Sequence, residues 1–393
     1  MNHPMIYLDN AATTRVRREV LDAMLPWFSE HFGNPSSIHK AGRDAKIAVE
    51  NARKQVAAAI GALPQEIYFT GCGSESDNWA LRGIADVAKG KHIITSAIEH
   101  HAILHTAEYL EKKGYRVTCL PVDEYGRVNP QDVKDAIEPD TILISVMTAN
   151  NEIGTVQPVA EISAIAKAAG IPFHTDAVQA VGAIPVDVKA MNVDLLSMSA
   201  HKFGGPKGVG ALYIRKGLRI SPFVFGGAQE HKMRAGTENL ASIVGMGKAI
   251  ELAATELGSH AKYISRLRDK LIDGVLKTIP DVRLNGHPTQ RLPNNFNMCF
   301  RYIEGESLLM RLDLAGVEGS SGSACTSGSL DPSHVLLAIG LPHEIAHGSL
   351  RLTLGIDTTE EDIDFVLAEL PKIVQTLRDM SPLYHMCNVK EKA

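Results

Sequence analysis

Val193-Asp194-Leu195-Leu196-Ser197-Met198-Ser199-Ala200-His201-Lys202 is the stretch that decides the fold. Its apolar run, bounded by polar residues, predicts a buried strand. The chain then breaks at Phe203-Gly204-Gly205-Pro206-Lys207-Gly208, and Val209-Gly210-Ala211-Leu212-Tyr213-Ile214 predicts another strand. Lys202 should therefore lie at a carboxyl end of the sheet, where open α/β sheets place ligands. A lone lysine is usually a solvated charge, so its neighbours must decide its role.

Asp176 ends a second predicted strand, Ile171-Pro172-Phe173-His174-Thr175-Asp176. A buried carboxylate at this edge needs a cation. The protonated pyridine nitrogen of pyridoxal phosphate would supply one, and Lys202 could bind the aldehyde of that cofactor. The competing interpretation of Asp176 is a helix N-cap. Gln179 would reach the phenolic oxygen of the cofactor or point to water.

A phosphate site is indicated by a strand at Glu66-Ile67-Tyr68-Phe69-Thr70, a turn at Gly71-Cys72-Gly73 and a helix from Ser74. This pattern leaves free amides and a positive helix end at Gly73 and Ser74. It is not a dinucleotide fingerprint, because Ser76 replaces the third glycine. Similar turns occur without ligands. Ser199 and His201, which flank the strand end before Lys202, would add two donors.

Cys325 lies in a ten-residue stretch of Gly, Ser and Thr, which predicts an exposed flexible loop. We expect the loop to end at a helix cap at Asp331-Pro332, before the helical residues Val335-Leu336-Leu337-Ala338-Ile339 and the terminator Gly340. A thiol on such a loop could attack sulfur in a site and then pass it on.

Two further patterns have more than one interpretation. His101 and His105 are spaced i, i+4 on a predicted helix, but no third ligand follows by spacing, so ring-stacking or surface histidines are favoured over a metal site. Arg351 lies in an alternating strand and either faces water or binds a carboxylate with its planar fork.

The chain resembles the NifS/IscS class of cysteine desulfurases, which are fold-type I pyridoxal phosphate enzymes of the class-V aminotransferase type. The resemblance runs from Tyr7-Leu8-Asp9-Asn10 to about Ser381-Pro382. It rests on a set of motifs in one order: Phe32-Gly33-Asn34-Pro35-Ser36-Ser37, Ser74-Glu75-Ser76-Asp77-Asn78, Asn150-Asn151-Glu152-Ile153-Gly154, His174-Thr175-Asp176-Ala177-Val178-Gln179, His201-Lys202, Arg234-Ala235-Gly236-Thr237-Glu238-Asn239 and Ser320-Ser321-Gly322-Ser323-Ala324-Cys325-Thr326-Ser327-Gly328-Ser329.

This resemblance implies pyridoxal 5'-phosphate as the cofactor, bound covalently by Lys202. It implies that Asp176 pairs with the pyridinium and Gln179 with the phenolic oxygen. His100 would stack on the ring and manage protons. The implied phosphate ligands are Gly73, Ser74, Ser199 and His201, together with Thr237, which would reach the phosphate of the neighbouring subunit in a homodimer.

The resemblance also implies a substrate site and a reaction. Asn151 and Arg351 would hold the carboxylate of L-cysteine, with Asn34 close by and Asn151 also near the cofactor. Cys325 would take the sulfur as a persulfide while L-alanine leaves. An iron-sulfur scaffold or other sulfur acceptor protein would receive it. The tail after Pro382 and the Ser-Gly-Ser after Cys325 favour the NifS branch.

Two alternatives of other kinds remain open. A selenocysteine lyase or an aminotransferase on the same scaffold would need Lys202 and Asp176 but not Cys325. A non-catalytic interaction protein that retains the fold would bind no pyridoxal phosphate. Cys72, beside the phosphate turn, is a second candidate thiol but a poorer sulfur carrier.

Composition agrees with an α/β enzyme. We expect a mostly parallel central sheet flanked by helices and a smaller α/β C-terminal domain, divided as 14–257 and 258–393, with residues 1–13 packing on the latter. The net charge of −5 argues against nucleic-acid or anionic-membrane partners. No signal segment or membrane-length apolar run is visible, so the cytoplasm is expected. Five cysteines without a CxxC pair argue against a disulfide framework.

Overall fold

The computed structural model describes residues 5–321 and 332–390. The described part contains a seven-stranded, a three-stranded and a two-stranded sheet. The strands are β1 (Ile6–Tyr7), β2 (Ile67–Thr70), β3 (His92–Ser96), β4 (Arg116–Leu120), β5 (Thr141–Ser145), β6 (Phe173–Asp176), β7 (Leu195–Ser199), β8 (Gly210–Ile214), β9 (Val282–Leu284), β10 (Asn295–Phe300), β11 (Val317–Glu318) and β12 (Ser349–Thr353).

The seven-stranded sheet has the order β2-β8-β7-β6-β5-β3-β4. Strand β8 runs antiparallel to both its neighbours, and the other pairs are parallel. Strands β3, β7 and β8 are buried along their whole length, as expected for strands of a sheet that is covered on both faces. The predicted α/β class with a mostly parallel sheet is confirmed.

Helices cover both faces of this sheet and build the C-terminal part. They are α1 (Arg18–Met24), α2 (Pro26–Ser29), α3 (Lys40–Ala59), α4 (Gly73–Ala85), α5 (His101–Glu111), α6 (Pro130–Asp135), α7 (Val159–Ala168), α8 (Leu240–Thr278), α9 (Gly305–Leu314), α10 (His334–Ala338), α11 (His343–Ala346), α12 (Glu360–Asp379) and α13 (Pro382–Lys390). None of the described helices is long and apolar enough to span a bilayer.

The long helix α8 joins two hydrophobic cores. Its first turns, including Ile243 and Met246, pack with α3 and the large sheet. Its last turns, including Leu267 and Leu271, pack in a second core with β10, β12 and α12. The N-terminal residues Ile6 and Leu8 belong to this second core. The boundaries 14–257 and 258–393 stay a prediction.

An N-terminal strap, residues 7–14, runs from the second core to the end of the large sheet. The backbone amide of Ala11 donates to Thr353 Oγ1 at 2.8 Å, and Asn10 Nδ2 donates to the Thr353 carbonyl at 2.8 Å. Further along, the amide of Thr14 donates to the carbonyl of His201 at 2.9 Å. The strap thus ties strand β12 to the turn that carries Lys202.

One helix start differs from the prediction. Helix α10 is capped by Ser333, whose hydroxyl accepts from the amides of Val335 at 3.1 Å and Leu336 at 3.3 Å. The helix therefore begins two residues later than predicted, because the Ser333 hydroxyl satisfies its first amides; of the predicted cap Asp331-Pro332, Asp331 lies outside the described residues. The predicted terminator Gly340 has φ of 84°, a left-handed conformation that suits glycine.

Candidate active site

The candidate site lies at the carboxyl ends of β6 and β7. The two strands are parallel, with Asp176 paired to Ser197. Lys202 follows β7 in a 3-10 turn at Ala200–Lys202. Parallel pairing brings both strand ends to the same edge, so the predicted placement of Asp176 and Lys202 at one edge of the sheet is confirmed.

The ammonium group of Lys202 is held by the strap. Nζ donates to the carbonyl oxygens of Ala11 and of Ala12, the latter at 2.9 Å. Gln179 Nε2 also donates to the Ala11 carbonyl, at 3.0 Å. The structure therefore brings Lys202 and Gln179 to one oxygen. Sequence reasoning missed these two carbonyls, because backbone acceptors leave no side-chain signature.

Asp176 is buried at the strand end. Its Oδ1 accepts from the amide of Val178 at 2.8 Å, so it caps the turn that follows. Burial raises the pKa of Asp176 to about 6, although the Val178 amide and the nearby Lys202 charge both lower it. A bound cation would favour the charged form. Capping and cation binding are thus compatible functions of this one carboxylate.

The residues predicted to bind a phosphate, Gly73, Ser74 and Ser199, lie together at the start of α4, and we call them the candidate phosphate cup. Helix α4 begins at Gly73, and a Cβ at that position would lie 2.7 Å from Val178 Cγ2. Ser199 approaches the same point, and its buried hydroxyl has no hydrogen-bond partner among the described residues. Ser74 is exposed in the first turn. A close-packed glycine, free helix amides and an unpaired hydroxyl fit an anionic ligand.

His201 and His100 lie at the borders of the site. His201 Nδ1 contacts Thr13 Oγ1 at 3.1 Å, and burial followed by the Lys202 charge lowers its pKa to about 4. His100 Nδ1 accepts from the amide of Ala102 at 3.1 Å. Burial, then Lys202, lowers the pKa of His100 to about 4. A neutral His100 whose Nδ1 accepts must carry its proton on Nε2.

Arg351 is buried in β12, contrary to the alternative that it faces water. Its Nη1 donates to the carbonyl of Asn151 at 3.1 Å, and its Nη2 donates to Asp9 Oδ1 at 2.8 Å. Asn34 lies elsewhere in an exposed turn, where its Oδ1 accepts from the amide of Ser36. Among the described residues, no hydrogen bond joins Asn34 to Asn151 or Arg351.

Cys325 lies outside the described residues, but both flanks of its segment are fixed close to Arg351. The amide of Ser320 donates to the Arg351 carbonyl at 3.0 Å, and Ser349 Oγ donates to the Ser321 carbonyl at 2.8 Å. On the other flank, Ser333 Oγ donates to the carboxylate of Glu152, the residue after Asn151.

Thr237 is exposed on the segment between β8 and α8. Two ion pairs fix this segment. Arg234 Nε donates to Glu75 Oε1 at 2.8 Å, and Glu75 lies on α4, the helix whose start carries the candidate phosphate cup. Both terminal nitrogens of buried Arg53 donate to the Glu230 carboxylate at 2.7 Å. Glu230 and the next two residues have φ of 44°, 56° and 69°, a strained run that needs such an anchor.

The sequence analysis did not identify a set of buried acidic side chains near the site. Asp77, on the inner face of α4, is fully buried, and neither carboxylate oxygen has a hydrogen-bond partner among the described residues. The distance from His174 Nε2 to Asp77 Oδ1 is 3.7 Å. Burial, and then the charge of Asp176, raises the pKa of Asp77 well above its usual range. A charged residue next to Ser76 on an otherwise apolar helix face was the available signal.

Glu99 and Glu152 are also buried. Glu99 Oε1 accepts from Ser96 Oγ at 2.6 Å and from the amide of Met147 at 2.9 Å. Burial nevertheless raises the pKa of Glu99 to about 8 and that of Glu152 to about 7. Glu99 is therefore mostly protonated at neutral pH, directly before His100.

The histidines considered for metal binding stack on one another. The rings of His101 and His105 are 4.9 Å apart at 26°, and the ring of His334 lies 4.7 Å from that of His101. Within residues 5–321 and 332–390, no group of three His, Cys, Asp or Glu side chains has a geometry suited to a metal ion.

We expect Glu99→Gln to reduce the pH dependence of stability. Folding raises the pKa of Glu99 above its unfolded value, so its contribution is complete at low pH and is lost as the pH rises toward 8. Between pH 5 and pH 8, the Tm of the wild type should fall more than that of the variant, by on the order of 2–5 °C. The matched control is Glu111→Gln on exposed α5 surface. Parallel curves for wild type and Glu99→Gln, measured by calorimetry, would contradict this.

Comparisons with known proteins agree on one family. The family model "Aminotransferase class-V" matches residues 6–366. The cysteine desulfurase IscS of Methanosarcina thermophila is 61% identical over 380 residues, covering 96% of this chain and 94% of the relative. A solved NifS-like protein superposes with a TM-score of 0.90 at 40% identity, covering 95% of this chain and all of that one. A solved structure of SspA in complex with cysteine has a TM-score of 0.79 at 37% identity and covers 89% of this chain and 98% of that one.

The predicted family is thus confirmed, and the choice of the NifS branch stays a prediction. The chain belongs to the class-V aminotransferases, a family that uses pyridoxal phosphate, and within it to the cysteine desulfurases of the IscS/NifS group.

Proposed function

We propose that this protein is a pyridoxal 5'-phosphate-dependent cysteine desulfurase that converts L-cysteine to L-alanine and collects the sulfur as a persulfide on Cys325. The observation that carries the proposal is the convergence of Lys202, Asp176 and the α4 N-terminus at one sheet edge. A solved relative that binds cysteine supports the substrate.

The residues at this edge fit the cofactor. Lys202 would hold its aldehyde carbon, Asp176 its pyridine nitrogen and Gln179 its phenolic oxygen. Gly73, Ser74, Ser199 and His201 would hold its phosphate, and the unpaired Ser199 hydroxyl together with the tightly packed Gly73 supports this. When bound, pyridoxal phosphate supplies an electron sink for the carbanion formed at the substrate Cα.

The protein's own side chains handle the protons. The amine of Lys202, once released by the incoming substrate, would take the proton from Cα. His100 would stack on the cofactor ring and, with its Nε2 proton, donate toward the substrate. Arg351 and Asn151 would bind the substrate carboxylate, with Asn34 as a proposed neighbour.

Sulfur transfer balances without an outside oxidant. The substrate Cβ–S bond breaks and an S–S bond forms to Cys325 Sγ, while the hydrogen of the Cys325 thiol is in effect gained by Cβ. Cβ gains two electrons, and the two sulfur atoms together lose two. Cys325 is four residues after Ser321, so at ~3.5 Å per residue it can reach about 14 Å from that anchor beside β12.

Lys202 should be the residue that binds the cofactor covalently. Borohydride reduction of the holoenzyme followed by peptide mapping should find the adduct on Lys202. Lys202→Ala should abolish the adduct and lower alanine formation by about 10²–10⁴-fold or more, because both attachment and the base are lost. Lys207→Ala, an exposed lysine nearby, is the matched control. An adduct on another side chain would refute the assignment.

Replacing the thiol should separate cofactor binding from sulfur transfer. Cys325→Ala should still give the Lys202 adduct but lose alanine formation from L-cysteine by at least about 100-fold, since the sulfur acceptor is missing. Cys119→Ala, at an exposed cysteine on the edge strand β4, is the matched control. Undiminished alanine formation in Cys325→Ala would contradict the persulfide mechanism and favour an enzyme on the same scaffold that does not need Cys325.

We also propose a homodimer with shared sites, in which Thr237 binds the cofactor phosphate of the neighbouring subunit. The exposure of Thr237 supports this, because an exposed side chain is available for contact with a second subunit. Exposed apolar side chains at Ile38 and Phe225, which are 92% and 81% accessible, would suit burial against a second copy.

Heterodimers test whether Thr237 acts across the interface. Thr237→Ala should weaken cofactor binding about 10- to 100-fold, the loss expected for one hydrogen bond to a charged group. A heterodimer of one Lys202→Ala subunit and one Thr237→Ala subunit should then contain one intact site with wild-type cofactor affinity. If Thr237 acts within its own subunit, no intact site forms, and that result, like a monomer in sedimentation, would contradict the proposal.

An iron-sulfur scaffold or another sulfur acceptor protein is the proposed recipient of the persulfide sulfur. Family membership is what supports this partner.

A further inference from the structure

The contact between Asp9 and Arg351 is unlike the ion pair that lies just after the strap. Asp9 Oδ1 and Arg351 Nη2 are 2.8 Å apart, and their side chains are 20% and 3% accessible. The pair of Arg15 with Asp357, on the same part of the chain, spans 3.7 Å with both side chains at least 70% accessible. An exposed pair of that kind contributes little, whereas a buried cation must be paired.

The donors of the Arg351 guanidinium are only partly used. Nη2 contacts Asp9, and Nη1 contacts the Asn151 carbonyl. Nε is buried and has no hydrogen-bond partner among the described residues. Because the fork is planar and rigid, two fixed contacts at its terminal nitrogens determine the direction of its remaining N–H groups.

Asp9 is itself fixed on both sides. Strand-like pairing joins Asp9 to Thr353 in β12, two residues from Arg351. The Asp9 carbonyl accepts from the Tyr7 hydroxyl at 3.1 Å. Two residues further along the strap, the Ala11 carbonyl accepts from Lys202. Asp9 is thus placed between the arginine and the lysine of the candidate site by backbone contacts rather than by its own side chain.

We propose that Asp9 is a positioning residue for substrate binding, which holds the Arg351 fork so that its open donors receive the α-carboxylate of an amino acid. The inference rests on the proposed function, because it takes Arg351 as the carboxylate-binding group. Asp9 makes no contact with the substrate in this arrangement. Asp9 acts by orienting the Arg351 guanidinium, because the hydrogen bond from Nη2 fixes that group only where an acceptor oxygen is present.

The test uses the holoenzyme and two probes that differ at the carboxyl group, L-alanine and L-alaninamide. Asp9→Ala should weaken L-alanine binding, measured by calorimetry, by about 10- to 100-fold. Binding of L-alaninamide, which lacks the carboxylate, should change by less than about 3-fold. The KM for L-cysteine should rise in parallel, with kcat within about 2-fold of the wild type.

Conservative variants separate orientation from a general structural role. Asp9→Asn keeps an acceptor oxygen at the same place and should restore L-alanine affinity to within about 5-fold of the wild type. Asp9→Glu keeps the charge but displaces the oxygen, and should lose about 10-fold. If Asp9→Ala does not fold, the L-alanine affinity of Asp9→Glu still tests whether the position of the acceptor oxygen matters. Asp357→Ala, at an exposed ion pair, is the matched control.

Equal losses for L-alanine and L-alaninamide, or a fall in kcat with KM unchanged, would overturn the proposal. So would an Asp9→Asn variant as weak as Asp9→Ala. If the wild type failed to consume L-cysteine, the proposed function would fail. The two binding probes would still decide the role of Asp9, because they need no turnover.

Discussion

The parallel pairing of β6 with β7 is the constraint on which the candidate site depends. The register that sets Asp176 opposite Ser197 fixes how far each strand extends, and therefore where the carboxylate and the turn carrying Lys202 lie. A slip of one residue would turn every side chain of the strand to the other face. Helix α4 adds its N-terminus at the same edge, because Gly73 allows it to approach Val178 closely.

The strap provides the oxygen atoms that accept hydrogen bonds from the polar and charged side chains at this edge. Three polar groups reach its backbone or side chains: the ammonium group of Lys202, the amide of Gln179 and the guanidinium of Arg351. The strap leaves the C-terminal core, to which Ile6 and Leu8 belong. A short segment therefore connects the lysine of the large sheet with the arginine of the small one, and both depend on its backbone path.

Buried acids surround the site without adding much negative charge. Asp77, Glu99 and Glu152 all have raised pKa values because burial penalises their charged forms. His174 is buried and His100 half-buried, and desolvation lowers the pKa of both rings, so both are neutral. A ligand at this edge would therefore meet few full charges, and a charge that is shielded from water interacts more strongly than one in solution.

The sequence by itself determined the α/β class, the strand that ends at Asp176, the strand that ends just before Lys202 and the glycine turn before α4, because periodicity and turn chemistry are local. Motif order identified the family. Tertiary structure decided which groups meet: the strap carbonyls on Lys202, the Asp9 carboxylate on Arg351, and burial that neutralises Glu99. The two contacts join segments that are more than 180 residues apart, and the neutral state of Glu99 depends on desolvation of its carboxyl group. Local sequence spacing predicts neither long-range contacts nor the exclusion of water, because both arise only when the chain is packed.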